Sequence, residues 1–309
     1  MNILITGGTG YLGARLAFFL RKKNNIYIQS RKKKNNELKI KNIFQFQYNW
    51  KKHDILDKYL KKIDLIIHAA GVDSKFCENH KKKAEKCYLN NTDILYYYAQ
   101  RHNVKKIINF STTHVYGNSN GLIDENSKID LYNNYAKLNH GREKIIFNYD
   151  NKKINFSNLR LSNCFGYPIL KQTNCWHLLI PDICKNILVN NEVNLKTKLD
   201  DYKNFTTIYD LCRFIDNLKN FKKKLPETIN FSAGKPEKIS SMVRRLIKIY
   251  KTKEKKKPKE EIKNLKKINF FTKNYKSKYL KKLNFQFQNN YDFEINKMMQ
   301  ISKKFFINE

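Results

Sequence analysis

Short apolar runs alternate with longer amphipathic stretches along the first 165 residues. The apolar runs predict strands, and the stretches between them predict helices. The predicted strands are Asn2–Thr6, Asn25–Gln29, Ile43–Tyr48, Leu65–His68, Lys106–Ser111 and Asn155–Leu161. The predicted helices are Tyr11–Lys22, Ile55–Lys62, Ala84–His102 and Asn134–Asn148. Apolar strands joined by crossover helices are typical of a parallel sheet buried on both faces, so we predict a doubly wound α/β fold.

The pattern is less regular after residue 168. It predicts a helix near Asp182–Val189, a second helix over Thr206–Leu218 and a strand over Thr228–Ala233 that returns to the sheet. The Lys- and Glu-rich stretch Lys251–Lys267 predicts a solvated helix face or a loop. We therefore expect residues 1–165 to form the main domain, with elements near 203–233 returning to it, and residues 166–309 to form mainly a smaller lobe.

The chain has no run of about 18 apolar residues, and its mean hydropathy is −0.70. We therefore expect no membrane span and no membrane partner. The first residues form a strand pattern that leads into a glycine turn, without a basic segment followed by an apolar one, so we expect no signal peptide.

The net charge of +35 comes from 62 basic and 27 acidic residues. Only nine of the basic residues are arginines, which leaves 53 lysines. Abundant Lys, Asn, Ile, Phe and Tyr match a bias toward A/T-rich codons. Nucleic-acid surfaces usually favour Arg, and these lysines are spread over the whole chain. A nucleic-acid binder is therefore a weak alternative, although the charge should attract anionic ligands.

Six cysteines and seven histidines are the candidate metal ligands. No two cysteines have the C-x-x-C spacing, and the histidines do not cluster near them. We therefore expect neither a metal site nor a disulfide framework. Reduced, buried thiols are the simpler interpretation, and they are typical of a cytoplasmic protein.

The segment Met1–Gly13 carries the first functional motif. Gly8-x-Gly10-x-x-Gly13 directly follows an apolar strand and opens a helix, and the same residues also spell Thr6-Gly7-x-x-Gly10-x-x-Gly13. Glycine is needed where the backbone approaches a pyrophosphate, and the helix N-terminus presents free N–H groups to its charge. The motif predicts a Rossmann-type dinucleotide site formed by Gly7, Gly10, Tyr11, Leu12 and Gly13.

Four further segments follow this turn in order. They are Asp64-Leu-Ile-Ile-His-Ala-Ala-Gly71, Phe110-Ser-Thr-Thr-His-Val-Tyr-Gly117, Arg160-Leu-Ser-Asn-Cys-Phe-Gly-Tyr-Pro168 and Lys203-Asn-Phe-Thr-Thr-Ile-Tyr-Asp210. Together with the turn they resemble the extended short-chain dehydrogenase/reductase family, in its NAD(P)-dependent nucleotide-sugar epimerase/dehydratase branch. The resemblance runs through most of the chain.

The resemblance implies roles for residues in each segment. The stretch Ala69, Ala70 and Gly71 would pass beside the cofactor, and Thr112 stands at the position of the catalytic Ser or Thr. Asn163 would meet the substrate where the chain crosses into a substrate-binding lobe, and Lys203 begins a segment that touches the nucleotide in relatives. We expect His68 and His114 to be structural.

The catalytic helix departs from the family pattern. Relatives carry Tyr-x-x-x-Lys with a Glu four residues later, whereas alignment on Tyr135 and Glu143 places Asn139 at the lysine position. Lys137 points to roughly the opposite side of the helix and cannot substitute. In relatives the lysine holds the nicotinamide ribose and lowers the pKa of the tyrosine. We therefore expect Tyr135 to stay near its ordinary pKa of about 10, and Asn139 to offer at most a ribose hydrogen bond.

The second strand bears on cofactor choice. An NAD site typically has Asp or Glu at the end of this strand, to bind the ribose 2′-hydroxyl. The chain instead carries Ser30 and Arg31, with no acid before Glu37. An arginine fork suits a 2′-phosphate, so the sequence favours NADP over NAD.

These observations predict an NAD(P)-dependent enzyme that remodels a nucleotide-linked sugar by epimerisation, dehydration or ketone reduction. Tyr135 would be the acid/base and Thr112 would bind the same oxygen. A protonated Tyr135 favours reduction of a keto-sugar over oxidation of an alcohol. Because Asn139 replaces the lysine, a non-catalytic dinucleotide-binding sensor or scaffold is the alternative. The sequence leaves a homodimer open.

Overall fold

The computed structural model describes residues 1–31, 35–51, 53–149, 153–195, 199–262 and 272–307. The strands are β1 Asn2–Thr6, β2 Asn25–Ser30, β3 Ile43–Gln47, β4 Leu65–His68, β5 Lys106–Thr112, β6 Gly121–Ile123, β7 Asn155–Leu161, β8 Asn163–Phe165, β9 Glu192–Leu195, β10 Tyr202–Lys203, β11 Phe205–Thr207, β12 Thr228–Phe231, β13 Glu237–Lys238, β14 Lys259–Ile262 and β15 Lys273–Tyr275.

The α-helices pack on both faces of the main sheet and in the C-terminal lobe. They are α1 Tyr11–Leu20, α2 Asp54–Leu60, α3 Ser74–Asn79, α4 Lys81–Glu85, α5 Asn91–Arg101, α6 Asn134–Ile145, α7 Leu179–Val189, α8 Ile208–Asn220, α9 Ile239–Glu254 and α10 Tyr291–Phe306. A π-helical turn, Lys86–Asn90, joins α4 to α5, and a 3-10 turn, Thr113–Tyr116, follows β5.

Seven parallel strands form the central sheet in the order β12-β7-β5-β4-β1-β2-β3. This arrangement confirms the predicted doubly wound α/β fold. Strand order reverses between β1 and β4, and open parallel sheets bind ligands in the crevice at that switch point. The glycine turn after β1 and the Ala69–Gly71 stretch after β4 both lie at this crevice.

Alternate residues of β1 supply the cores on the two sides of the sheet. Ile3 and Ile5 belong to the cluster that includes helix α1, whereas Leu4 belongs to the cluster on the opposite face with Leu56 and Leu95. All of these residues are fully buried. Burial on both faces explains why the strands read as continuous apolar runs in the sequence.

The predicted element ends differ from the structure where a local contact decides them. The helix predicted from Thr206 begins at Ile208, because Phe205–Thr207 is a strand paired with β8. The Thr207 side chain then caps the helix by accepting a hydrogen bond from Asp210 N at 3.0 Å. The helix predicted over Ala84–His102 is interrupted by the π-helical turn.

The prediction for Lys251–Lys267 is corrected in part. Helix α9 ends at Glu254, but Lys259–Ile262 forms strand β14, which pairs with β9 in a small parallel sheet. Pairing with β9 therefore outweighs the low strand propensity of the charged residues in this segment. Residues 263–267 lie outside the described part of the chain.

A second core lies among α7, α9 and α10, with Ile183, Met242 and Ile295 fully buried in it. The chain returns from this lobe to the main domain, because Leu283 and Phe285 pack into the core beside the sheet. None of the helices in the described ranges has both the length and the apolar character that a bilayer span requires.

Candidate active site

The glycine turn packs directly against the turn that follows β4. Gly7 has a φ of +65°, and a Cβ atom built on it would lie 2.8 Å from Ala70 Cα, so only glycine fits there. Gly10 N donates to Gly7 O at 2.8 Å and closes the turn. The predicted cofactor residues Gly7 and Ala70 are thus in contact at the crevice.

Gly10 is exposed and extended, and it stands at the N-terminus of α1 without a side-chain cap on the helix. A Cβ atom there would approach only Gly7 O, at 3.1 Å. Uncapped N–H groups beside an open glycine surface form a site for an anionic group such as a pyrophosphate. This geometry fits a dinucleotide, and Tyr11, Leu12 and Gly13 lie in the first turn of the same helix.

Gln29, near the end of β2, supports the glycine turn through its side chain. Gln29 Oε1 accepts a hydrogen bond from Gly7 N at 3.3 Å, and Gln29 Nε2 donates to Tyr48 O at 2.6 Å. Ser30 is buried and Arg31 is exposed. The sequence interpretation missed Gln29, although its position one residue before the strand end was the available signal.

A buried ion pair joins α1 to α10. Arg15 Nη2 donates to Glu294 Oε1 at 2.6 Å, and the exposed fractions of the two side chains are 6% and 0%. The Glu294 carboxylate also accepts hydrogen bonds from Tyr167 N and Tyr209 N, each at 3.1 Å. The Tyr11 hydroxyl accepts from Gly166 N at 2.9 Å, so the predicted cofactor residue Tyr11 uses its phenol to hold this loop.

Thr112 and Tyr135, two of the three predicted catalytic residues, lie close enough for their side chains to hydrogen-bond. Thr112 ends β5 and Tyr135 lies in the first turn of α6, whose N-cap Asn133 accepts a hydrogen bond from Ala136 N at 2.8 Å. The Tyr135 ring is nearly perpendicular to the rings of His114 and Tyr88, with centroid separations of 5.7 and 6.3 Å. Thr112 Oγ1 accepts from His114 N at 3.2 Å.

Burial raises the pKa of Tyr135, and the Arg142 charge and the neighbouring Thr112 hydroxyl counteract part of this increase. The phenol is therefore protonated at neutral pH. His114 is exposed at the cleft, yet the surrounding protein atoms and the charges of Lys203 and Lys273 lower its pKa. It is therefore neutral beside Tyr135.

Asn139 is buried in the position where relatives carry lysine. Its Nδ2 donates to Tyr135 O at 2.9 Å, and its Oδ1 accepts from Arg142 Nη2 at 3.2 Å. The side chain thus contacts its own helix, which is a different contact from the ribose hydrogen bond considered in the sequence analysis. The sequence interpretation missed Arg142, whose position seven residues after Tyr135 was the signal.

A buried ion pair fixes α6 to the sheet. Glu143 accepts from Arg160 Nε at 2.9 Å, from Arg160 Nη2 at 2.7 Å and from Ser111 Oγ at 2.5 Å. Although burial opposes ionisation, the hydrogen bonds and charge of Arg160 lower the pKa of Glu143 to about 2. Glu143 therefore positions the helix that carries Tyr135.

The two predicted substrate residues lie on strands of two different small sheets. Asn163 begins β8, and its Nδ2 donates to Asn204 O at 3.2 Å. Lys203 ends β10, directly before Asn204 and paired with Glu237 of β13. The structure therefore brings Asn163 and Lys203 to the same edge of the cleft.

His68 lies inside the sheet with no exposed surface. Its Nδ1 is 2.6 Å from Thr6 Oγ1, and its Nε2 is 2.9 Å from Thr92 Oγ1. Burial lowers the pKa of His68, so the ring is neutral and joins β1, β4 and α5. All six cysteines are free thiols, and in the described ranges no group of three or more His, Cys, Asp and Glu side chains could hold a metal ion.

A surface groove of about 440 Å³ lies elsewhere, along α9 and α10. Its lining includes Arg244, Arg245 and Lys248, and it contains none of the predicted site residues. The glycine turn, Thr112 and Tyr135 are the better candidate site, because they bring proton-transfer and hydrogen-bonding groups to the carboxyl edge of the sheet.

Residues 3–232 match the NAD dependent epimerase/dehydratase family. The chain belongs to this family. The predicted family is therefore confirmed.

One curated relative is dTDP-D-glucose 4,6-dehydratase of Dictyostelium discoideum, which is 28% identical over 251 residues. The match covers 70% of this chain and 54% of the relative, so the chain spans about half of that protein's length.

Solved structures share the fold over nearly the whole chain. UDP-N-acetylglucosamine 4-epimerase from Methanobrevibacter ruminantium M1 has a TM-score of 0.83 at 18% identity, covering 99% of this chain and 98% of its own. UDP-glucuronic acid 4-epimerase from Bacillus cereus, in complex with UDP-glucuronic acid and NAD, has a TM-score of 0.80 at 17% identity, covering 99% and 100%.

Proposed function

We propose that the protein transfers a hydride between a nicotinamide cofactor and a nucleotide-linked sugar, as an epimerase, dehydratase or keto-sugar reductase. The observation that carries this proposal is the meeting of Thr112 and Tyr135 at the sheet edge that also holds the glycine turn. A sensor or scaffold would need the turn but would have no use for this pair.

Tyr135 and Thr112 have different roles at the same substrate oxygen. The bound nicotinamide would supply or accept the hydride at the sugar carbon. Tyr135 moves the proton at the oxygen on that carbon, and Thr112 donates a hydrogen bond to the same oxygen. Glu143, through Arg160 and Ser111, keeps α6 in place while the proton moves.

The protonation state of Tyr135 sets a preference of direction. A phenol whose pKa is raised by burial keeps its proton at pH 7, so it can donate the proton that ketone reduction requires. Oxidation of an alcohol needs the deprotonated form. We therefore propose that reduction of a keto-sugar is the faster direction at neutral pH.

The charged side of the cleft suits the nucleotide part of the substrate. Lys203 and Lys273 both act on His114, so two positive charges lie near the reacting groups. Diphosphates are attracted by such charges, and Asn163 adds an amide at the same edge. The names of the relatives contain UDP- and dTDP-linked sugars, which are the substrates to test first.

The preference for NADP stays a prediction. The exposed Arg31 and the absence of an acidic residue at positions 30 and 31 support it, whereas solved relatives carry NAD. Residues 32–34, which follow Arg31, lie outside the described part of the chain. A cytoplasmic location, a homodimer and a substrate-binding role for the lobe formed mainly by residues 166–309 also stay predictions.

The test is turnover of UDP-glucose, UDP-N-acetylglucosamine, UDP-glucuronic acid and dTDP-glucose with either cofactor, followed by product analysis. We expect one of these sugars to be converted, with a loss of 10²-fold or more in Tyr135→Phe because proton transfer contributes about that factor. Tyr97→Phe, an exposed tyrosine on α5, is the matched control. Cofactor binding without conversion of any sugar would favour the sensor or scaffold.

A further inference from the structure

Arg142 lies on the same face of α6 as Tyr135 and Asn139. The spacing i, i+4, i+7 places the three residues in one row along the helix. Helical side chains lean toward the N-terminus of their helix, so the guanidinium extends back to the level of Asn139, where Nη2 donates to Oδ1 at 3.2 Å. Arg142 therefore carries a positive charge to the turn where relatives carry lysine.

The guanidinium is held in place by contacts from two other elements. Nη1 donates to Ala70 O at 2.7 Å, which connects α6 to the turn after β4. The Arg142 Cζ atom lies 4.7 Å from the centre of the Tyr88 ring, a cation–π contact with the π-helical turn. Both hydrogen bonds end on neutral oxygens, so they leave the positive charge unneutralised.

The charge is close enough to act on Tyr135. Arg142 Cζ is 4.7 Å from the Tyr88 ring centre, and that centre is 6.3 Å from the Tyr135 ring centre. These distances place Arg142 Cζ within 11.0 Å of the Tyr135 ring centre. At such a distance and an effective dielectric constant near 20, a unit charge shifts a pKa by about one unit.

We propose that Arg142 supplies the fixed positive charge beside Tyr135 that Asn139 lacks, and that it acts as a positioning residue which stabilises the deprotonated phenol. The proposal rests on the proposed function, in which the phenol moves a proton. It also explains how α6 can carry Asn139 and still present a charged group to the catalytic turn.

Several groups face the Tyr135 phenol from the elements around it. Burial and the Cys77 thiol of α3 raise its pKa, while Arg142 and hydrogen bonding from Thr112 and Asn139 lower it. The remaining groups that face it are Tyr88 of the π-helical turn and His114, near which lie the cations Lys203 and Lys273. Arg142 is the cation among the groups that lower the pKa, so its removal should raise that pKa.

The experiment places 3,5-difluorotyrosine at position 135 and follows its titration by fluorine NMR. Fluorination lowers the phenol pKa, so that the phenol titrates in a pH range where the protein stays folded. We expect Arg142→Gln to raise this pKa by about one unit or more, and Arg142→Lys to raise it less. An unchanged titration in Arg142→Gln would overturn the proposal.

A charge relocation separates this role from a purely structural one. Asn139→Lys combined with Arg142→Gln moves the charge one turn along the helix, and we expect the lower pKa to return. If Arg142 only supports the fold, Arg142→Gln will lower the unfolding free energy, and Lys at position 139 will not restore the titration.

The two proposals can fail separately. A shifted titration without conversion of any nucleotide sugar would remove the proposed function and leave the role of Arg142 standing. If the protein converts a sugar but the Tyr135 titration is the same with and without Arg142, the proposed function stands and the role of Arg142 is refuted.

Discussion

Replacing Glu143 by glutamine tests how α6 is held against the sheet. In the protein, the Glu143 carboxylate accepts three hydrogen bonds from Arg160 and Ser111, and its side chain is 4% exposed. Glutamine has nearly the same shape, but it removes the negative charge and turns an N–H group toward the buried guanidinium. The Arg160 charge is then left without its counterion.

The pKa of Glu143 gives the size of the effect. A decrease from 4.5 to about 2 corresponds to about 3 kcal/mol of unfolding free energy. Because the folded-state pKa is depressed, this stabilisation is present above pH 4.5 and is lost as the pH falls toward 2. Leaving Arg160 unpaired raises the expected loss at pH 7 to about 3–5 kcal/mol.

Urea unfolding at a series of pH values measures the loss of unfolding free energy at pH 7 and its dependence on pH. Glu143→Gln should be less stable at pH 7, and its difference from the unchanged protein should narrow as the pH falls below about 4.5. The control is Asp292→Asn, which breaks an arginine pair of the same 2.7 Å length whose side chains are 41% and 59% exposed. Exposed pairs contribute less than about 1 kcal/mol. Equal losses in the two variants would refute the reasoning.

Three further predictions concern the cofactor and the pH dependence. Gly10→Val should abolish the thermal stabilisation given by NAD(H) or NADP(H), because a branched side chain would stand where the phosphate must approach the glycine; stabilisation equal to that of the unchanged protein would contradict the assignment of this turn. Titration should give tighter binding of NADP(H) than of NAD(H), and Arg31→Ala should remove the difference where the exposed Lys22→Ala does not; equal affinities in the unchanged protein would show the interpretation of Arg31 to be wrong. Ketone reduction should outpace oxidation of the matching alcohol at pH 7, after correction for the equilibrium constant. Oxidation should keep accelerating as the pH rises from 7 to 10, because burial raises the pKa of Tyr135 above its ordinary value and the deprotonated fraction grows throughout this range; an oxidation rate that is flat from pH 7 upward would rule this out.

The main sheet was predictable because its strands are apolar on both faces, so that β1, β4 and β5 stand out without any knowledge of tertiary contacts. The glycine turn was predictable for a similar reason, since Gly7 needs a backbone conformation that other residues avoid. Both features depend on residues that are close together in the chain, so they can be recognised from the sequence alone.

Contacts between distant residues account for what the sequence did not reveal. Arg142 reaches Ala70 across the crevice, and Gln29 supports Gly7 from the neighbouring strand. The family motif spans Tyr135 to Glu143 but assigns no role to position 142, so it does not point to Arg142 on the same helix face. Strand β14 depends on a partner strand more than 60 residues away, which the charged composition of Lys259–Ile262 does not disclose.

The ion pair between Arg15 and Glu294 has a consequence for the order of folding. Arg15 follows the glycine turn by a few residues, but its carboxylate partner lies 279 positions later. During synthesis helix α1, which carries Arg15, therefore emerges well before α10, and until then Arg15 lacks the carboxylate partner that it has in the folded protein. A contact of such long range forms late, because closing the loop costs conformational entropy. Docking of α10 therefore completes the buried contact that joins the helix after the glycine turn to the C-terminal lobe.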